Sequence, residues 1–284
     1  MTAMRLRVRR HPDATSFLER AEPWLLQAEA EYNLILGIAR TLITPSVSSP
    51  YEPPIYLATI EVDDVVAGCA YRTPPFKFCL TRMPEAALDP LVDDAASVYS
   101  SLPAALGPET ETHAFAERWC RRKGGVPRIA RWSRIYQLDS VTPPGEVATG
   151  RLRVADESNA PLMKQWLDEF RADARIDNPG ADETVTRWIR AGSAFLWEDD
   201  GPVSMAAIVG WSPHGARVGG VYTPPHLRRR GYASTCVAAL SQYLLAAGRR
   251  YCFLYTDLSN PTSNAIYMRI GYRAVADVVD IHLK

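Results

Sequence analysis

The sequence has no excess of charge of either sign. Lys+Arg and Asp+Glu both number 32 among 284 residues, so the formal net charge is zero. A balanced charge excludes a strongly basic nucleic-acid-binding protein and argues against a polybasic membrane anchor. The chain also lacks any run near the ~20 apolar residues of a membrane span, and its basic N-terminus has no apolar signal segment. We therefore expect a cytoplasmic protein with no nucleic-acid or membrane partner.

Cysteine is also scarce, and its spacing excludes several kinds of site. The chain has 5 cysteines, with no CxxC pair and no Cys/His spacing of a zinc site. We expect buried free thiols in a reducing compartment and no metal. Signatures of a hydrolase nucleophile elbow, a P-loop and a zinc protease are absent as well.

What the sequence does contain points to two globular domains. Apolar residues make up 47% and charged residues 23%, and the length suits about two domains. The stretch from Ser140 to Gly150 carries a proline pair and no apolar periodicity, as a linker does. We predict domains at 1–140 and 151–284, joined by a linker at 141–150.

The two halves resemble each other in pattern. Residues 55–71 and 194–211 each predict a β-hairpin around an acidic turn. Helical sequence precedes both hairpins: Ser16-x-x-Glu19 predicts a capping box before a long periodic run, and residues 159–174 show helical spacing. A duplicated α+β unit explains this pattern, and a chance likeness of two α+β domains is the alternative.

The second half continues with a regular alternation of strands and helices. The predicted elements are a strand at Ala216–Thr223, a helix at Gly231–Ala247, a strand at Tyr251–Asp257, a helix opened by Asn260-Pro261 and closed by Gly271, and a strand at Arg273–Leu283. This order predicts an α/β arrangement.

The segment Val221–Ser234 (VYTPPHLRRRGYAS) is the most informative part of the chain. A strand ends, a proline pair breaks it, and an arginine-rich turn enters a helix near Gly231. A helix N-terminus offers unpaired N–H donors and a positive dipole end, which suit a pyrophosphate. Gly231 lets a phosphate approach the backbone. A solvated arginine cluster is the alternative.

These residues resemble a known family signature. Arg228-x-x-Gly231-x-Ala233 after a strand resembles the Arg/Gln-x-x-Gly-x-Gly/Ala motif of the GNAT superfamily of acyl-CoA N-acyltransferases. The segment from Asn260 to Tyr267 resembles the family's second CoA-contacting helix, and Gly271-Tyr272 its usual ending. The clear resemblance covers residues 151–284. It implies two GNAT-like domains, each a mixed, mostly antiparallel twisted sheet flanked by helices, with the N-terminal one degenerate.

The resemblance also implies where acetyl-CoA binds, without a metal. The cosubstrate would lie between the strand ending at Thr223 and the strand at Tyr251–Asp257. The implied contacts come from three groups: the strand backbone at Val221, Tyr222 and Thr223; the loop and helix start at Arg228, Arg229, Arg230, Gly231, Tyr232, Ala233 and Ser234; and the second helix at Asn260, Ser263 and Asn264.

The implied chemistry is direct attack of an amine on the thioester. Strand N–H groups would stabilise the oxyanion, and Tyr267, pointing at the sulfur, would protonate the leaving thiolate. A packed core aromatic is the alternative for Tyr267. The general base is the weakest point, because the strand before the loop contains no acid. Asp257 is the best nearby carboxylate and Glu198 a second option, although either is also explained as a structural acid. A water chain, or a substrate that arrives neutral, would need neither.

The first half has the outline of the domain without its signature. Its corresponding stretch, Phe76–Asp94, lacks the motif, and acids replace the basic loop. We expect a degenerate domain that binds no CoA. Trp119, Trp132 and Tyr136 are candidates for an acceptor pocket, with core packing as the alternative.

The predicted function is therefore acetyl transfer from acetyl-CoA to a small-molecule or peptide amine. The alternative is an acyl-CoA-binding sensor or scaffold that has lost catalysis. The sequence leaves the acceptor and the oligomeric state open.

Overall fold

The chain passes twice through the same order of ten elements. This order is a strand, two helices, three strands, a helix, a strand, a helix and a final strand. The structure is a computed structural model that describes residues 5–44, 51–145, 147–176 and 180–284. The first set is β1 (Leu6–Arg10), α1 (Ala14–Leu25), α2 (Glu29–Ile43), β2 (Tyr56–Val62), β3 (Val65–Arg72), β4 (Phe78–Leu80), α3 (Leu88–Val98), β5 (Ala104–Gly107), α4 (Glu109–Lys123) and β6 (Pro127–Leu138).

The second set follows in the same order. Its elements are β7 (Arg151–Val154), α5 (Ala160–Asp173), α6 (Ala181–Arg190), β8 (Ala194–Glu198), β9 (Pro202–Trp211), β10 (Gly215–Tyr222), α7 (Tyr232–Ala246), β11 (Tyr251–Asp257), α8 (Pro261–Ile270) and β12 (Arg273–Leu283). The predicted duplication is confirmed in the order of the elements.

The chain forms two compact units. Unit 1 holds the described residues up to Ile135 together with Thr256–Ser259 and Val275–Lys284, and unit 2 holds Tyr136–Tyr255 and Asn260–Ala274. These units differ from the predicted domain boundaries, which placed every residue after 150 in the second domain. The physical reason is strand pairing, since β12 pairs antiparallel with β5 in unit 1, from Ala104 to Gly107.

The predicted linker is also more ordered than its composition suggests. Its residues after 146 pack on unit 2, where Ala148 N–H donates to Thr235 Oγ1 and Trp197 Nε1 donates to the Thr149 carbonyl. A Cβ at Gly150 would lie 2.1 Å from the Glu198 carbonyl oxygen, so a glycine is required there.

Each unit contains a mixed and mostly antiparallel sheet. In unit 1 the strand order is β1-β2-β3-β4-β5-β12-β6, and β4 and β5 are parallel. In unit 2 the order is β11-β10-β9-β8-β7, and β10 and β11 are parallel. In each of the two sets of elements, the fourth and fifth strands in chain order form the parallel pair, β4 with β5 and β10 with β11. The duplication therefore extends to strand pairing.

Helices cover both faces of each sheet. In unit 1, Tyr56, Ala58 and Ile60 of β2 pack with α3 and α4, while the intervening Leu57 packs with α1 and α2. Alternate side chains of a strand point to opposite faces, so this pattern places the two helix pairs on opposite sides. In unit 2, one apolar cluster contains residues of α7 and α8 and the other contains residues of α5 and α6.

The hairpins are confirmed, whereas the first capping box is wrong. Asp63 and Asp64 both have positive φ in the β2–β3 turn, as a two-residue hairpin turn requires. Helix α1 begins at Ala14, and the Asp13 side chain accepts the Ser16 N–H at 2.8 Å. An aspartate is at least as good an N-cap as serine, so the helix starts two residues before the predicted cap.

The described residues include every cysteine of the chain. All five cysteines are buried and free. Across the described parts of the chain, no helix has the length and apolar content needed to cross a membrane. In the same residues, no group of three or more His, Cys, Asp or Glu side chains is placed to hold a metal ion.

Candidate functional site

The parallel strands β10 and β11 separate within unit 2. Their pairing runs from Gly215–Tyr251 to Arg217–Phe253. Beyond that point β10 continues to Tyr222 while pairing with β9, and residues 180–284, all described, show no further β10–β11 register. The two strands therefore leave a gap at their carboxyl ends, where open parallel sheets bind ligands.

A β-bulge turns the end of β10 away from its antiparallel neighbour. Gly219 pairs with Ala207 and Tyr222 with Met205, so β10 has one residue more than β9 across this interval. Gly220 has φ +58 there. Bulges bend a strand and leave backbone groups unpaired beside active sites. The Gly219-Gly220 pair inside a strand is the sequence signal of this bulge, which was not among the predicted features.

The loop after β10 leads to the N-terminus of α7. Gly231 is the N-cap residue, with φ +79, and neither a side-chain cap nor an acid occupies the first turn of this fully described helix. Thr235 N–H is the first to find a helical acceptor, the Gly231 carbonyl. The preceding N–H groups therefore have the geometry of an anion site.

The three arginines of the loop after β10 differ in their contacts. Arg228 donates from Nε to the Thr223 carbonyl at 2.9 Å and from Nη2 to Asp173 Oδ2 at 2.6 Å. It thereby fastens the loop to the strand end and to α5. Arg229, with φ +64, and Arg230 are exposed. A phosphate contact by Arg228 needs an exchange of its partners, and Arg230 lies within hydrogen-bond reach of the Tyr232 side chain.

Several predicted cofactor residues already have partners for their polar side chains. Tyr232 donates to Asp199 Oδ2 at 2.6 Å, and this bond raises the pKa of Tyr232. Ser234 Oγ donates to the Gly231 carbonyl. Thr223 Oγ1 lies 2.9 Å from Ser204 Oγ, which also donates to the Tyr222 carbonyl. Their backbone N–H groups, rather than these side chains, are what the arrangement offers a ligand.

Helix α8 is capped as predicted. Asn260 Oδ1 accepts the Ser263 N–H at 3.0 Å, and Pro261 is the first helical residue. Asn264 Nδ2 donates to the Asn260 carbonyl, and Asn264 Oδ1 accepts from Tyr136 at 2.9 Å. The predicted pantetheine contacts of Asn260 and Asn264 stay predictions, because both amides hold the helix and its surroundings in place.

Tyr267 lies half-buried on α8 among aromatic rings. Its ring centroid is 6.5 Å from that of Tyr136 and 6.0 Å from that of Tyr272. Burial raises the pKa of Tyr267 to about 12. The hydroxyl is therefore protonated throughout the physiological range, as a proton donor must be.

The two carboxylates proposed as the base are held by other groups. Asp257, in unit 1, accepts from Ser259 N–H and Oγ and lies 3.6 Å from Arg131 Nε. Glu198 accepts from Arg153 Nε at 2.7 Å. Both have the contacts of structural acids, so a catalytic role for Asp257 stays an untested prediction.

The aromatic candidates of the first half are mostly core residues. Trp119 is 1% exposed in the cluster under α3 and α4 of unit 1, and Tyr136 is 1% exposed in unit 2. Trp132 is partly buried against the same cluster as Trp119. The core alternative therefore holds for Trp119 and Tyr136.

Between β4 and α3, where residues 81–88 are all described, unit 1 has no counterpart of the α7 loop. After β4, a 3₁₀ turn at Glu85–Ala87 continues directly into α3 at Leu88 with right-handed helical backbone. Glu85 and Asp89 lie in the first turns of these helices. Negative side chains there disfavour a pyrophosphate, which supports the prediction that this unit binds no CoA.

Among known protein families, residues 199–279 match the family model described as FR47-like protein. Comparison with curated proteins gave no significant match.

Solved structures resemble the chain over nearly its whole length. A GNAT-family acetyltransferase from Colwellia psychrerythraea is 12% identical, with TM-score 0.60 and coverage of 98% of this chain and 100% of that one. A GCN5-related N-acetyltransferase from Sphaerobacter thermophilus is 13% identical, with TM-score 0.62 and coverage of 97% and 94%.

A tandem GNAT protein from the clavulanic acid biosynthesis pathway is 11% identical, with TM-score 0.52 and coverage of 98% of both chains. At these identities the likeness concerns the fold. The chain has the fold of the GNAT acetyltransferases, and its residues 199–279 match the FR47-like protein family.

Proposed function

We propose that unit 2 transfers an acetyl group from acetyl-CoA to the amine of a small molecule or peptide. The observation that carries this proposal is the separation of β10 from β11 beside an uncapped helix N-terminus. A gap between strands accommodates an extended arm, and the N–H groups after Gly231 suit its pyrophosphate. The absence of acids in the first turn of α7 removes the repulsion found at the equivalent place in unit 1.

The residues present fit the requirements of acyl transfer. The bulge at Gly220–Val221 leaves strand backbone free of its neighbour, where N–H groups stabilise a developing oxyanion. The amine forms the C–N bond as the C–S bond breaks. Tyr267, kept protonated by burial, gives its proton to the leaving thiolate.

One observation favours the alternative of a CoA-binding protein without catalysis. Asp257 and Glu198 are both engaged by arginines, so neither is poised as a base. Such a protein binds acetyl-CoA and acetylates no amine, whereas the enzyme does both.

Calorimetric titration of the full chain with acetyl-CoA tests the proposal first. We expect saturable micromolar binding at one site per chain, followed by thiol release with a panel of primary amines. Two sites per chain would show that unit 1 also binds. Binding without thiol release would favour the sensor, and no binding at millimolar acetyl-CoA, with and without amines, would refute acyl transfer.

A further inference from the structure

Glu169 on α5 reaches the end of β10. Its Oε2 accepts a hydrogen bond from the Tyr222 hydroxyl at 2.9 Å, and its Oε1 accepts from Gln165 Nε2 at 2.8 Å. Tyr222 is the last residue of β10, directly after the bulge. Glu169 is half-buried, so part of its side chain remains accessible to solvent.

The partners of Glu169 are neutral, and this separates it from the other acids near the site. Asp173, one turn further along α5, pairs with Arg228, and Glu198 pairs with Arg153. Glu169 has no ion pair with any Lys, Arg or His in the described residues. A half-buried carboxylate without a counter-ion attracts a cation.

Glu169 lies across the strand from α7 and α8, the helices that the proposed function assigns to CoA. Tyr222 packs in the cluster of α5 and α6, whereas Val221 and Tyr267 pack in the cluster of α7 and α8. An amine that approaches Glu169 would therefore reach the end of β10 from the face opposite Tyr267. This arrangement lets a base and an acid act on opposite sides of one thioester.

The Tyr222 hydroxyl orients the Glu169 carboxylate at the end of β10. The charged groups that act on Tyr222 are Glu169 and Asp173 of α5 and Arg228 of the loop. Burial, together with the bond to Glu169, raises the pKa of Tyr222 to about 12. The tyrosine therefore remains a donor at neutral pH and orients the carboxylate without giving up its proton.

The geometry points to Glu169 as the group that accepts the proton of the acceptor ammonium. This inference rests on the proposed acetyl transfer. The ammonium gives one proton to the carboxylate, which passes it to solvent. The neutral amine then attacks the carbonyl carbon, and the sulfur takes the electron pair of the broken C–S bond. The second proton that nitrogen loses balances the one that the thiolate gains through Tyr267.

Glu169→Gln tests this role, because it keeps the shape and removes the charge. The probes are Nα-blocked lysine amide, whose ammonium has a pKa near ~10.4, and glycine amide, whose α-amine lies near ~8. We expect kcat/KM for the lysine derivative to fall about 100-fold, and less for the glycine derivative, of which more is already neutral. The Kd for acetyl-CoA should stay within about twofold of the wild-type value, since Glu169 lies on the face of β10 opposite Val221 and Tyr267.

Asp168→Asn is the matched control. Asp168 precedes Glu169 on the same helix, is 69% exposed and lies 4.0 Å from Arg171. Its loss removes the same charge without touching β10, and we expect wild-type rates. Glu169→Asp, which retains a shortened carboxylate, should recover part of the rate and covers the case in which the glutamine variant does not fold.

Failure of the role of Glu169 and failure of the proposed acetyl transfer give different results. Active wild-type protein with unchanged kcat/KM in folded Glu169→Gln, or equal losses for both amines, would overturn the role of Glu169 and leave acetyl transfer standing. Wild-type protein that acetylates neither these probes nor a wider amine panel would overturn the proposed function, and this inference with it.

Discussion

Gly220 and Trp188 are in contact where β10 bulges: a Cβ on Gly220 would lie 2.8 Å from Cη2 of the indole. Gly220 also has φ +58, a conformation that costs an L-residue about 1–2 kcal/mol. The tryptophan of α6 thus packs directly on the backbone that the proposed function assigns to the thioester. The bulge is fixed both by backbone conformation and by the lack of a side chain.

Gly220→Ala should therefore weaken both the fold and the site. We expect a loss of about 2–4 kcal/mol in the free energy of unfolding, from the positive φ and the clash with Trp188 together. Urea denaturation measures it. Gly192→Ala is the control, because Gly192 has φ +60 and open space around its Cβ position. Equal losses in the two variants would show that Trp188 does not hold the bulge.

Gly231→Glu tests the anion site at α7. The new side chain brings bulk and negative charge to the N–H groups after the loop, and we expect acetyl-CoA binding to be abolished in calorimetry. Because φ is +79 at this position, any side chain strains the backbone. Gly231→Ala carries that strain without the charge and should retain measurable affinity. Unchanged affinity in the glutamate variant would refute the assignment of the loop.

The local elements of the second half were predictable because their signals are local. β11 and β12 have the predicted bounds, and Asn260 and Gly271 bound α8 as expected. A short apolar run or a cap depends on neighbouring residues only. The GNAT-like order of elements followed from such signals together with the resemblance of two motifs.

Features that depend on distant partners were not predictable. β12 follows α8 in the chain but pairs with β5 in unit 1, and no pattern within Arg273–Leu283 specifies that partner. The motif predicts Arg228 as a phosphate ligand, yet Asp173, 55 positions away, holds its guanidinium. Glu169 gave no signal as a candidate because its importance comes from Tyr222, which lies 53 positions further along.

Acid should destabilise unit 1 through Glu61. This side chain is 1% exposed, and burial alone would raise its pKa, but bonds from Arg7, Arg20 and Thr59 together lower the pKa to about 2. A folded pKa below the unfolded value stabilises the protein above about pH 4.3, and this stabilisation is lost as pH falls through about 2.

Glu61→Gln should therefore lower the free energy of unfolding at pH 7 by up to about 3 kcal/mol, an upper value because the arginines are partly exposed. The difference from wild type should shrink as the pH falls from about 5 towards 2 in urea denaturation. Glu117→Gln, on the exposed side of α4, is the control and should change the free energy of unfolding little at pH 7. A pH-independent difference for Glu61→Gln would contradict the assigned pKa.

Tyr267→Phe tests the proton donor on α8. Phenylalanine keeps the ring contacts with Tyr136 and Tyr272, so we expect the Kd for acetyl-CoA to stay nearly unchanged. Turnover should fall, by about 10- to 100-fold, at the low end of acid–base effects because a pKa near 12 makes a weak acid. The same pKa means that Tyr267 stays protonated up to about pH 11, and wild-type kcat should show no alkaline decline from this group between pH 7 and 10. A wild-type rate in Tyr267→Phe would remove the residue as the acid, and a decline that the variant abolishes would contradict its raised pKa.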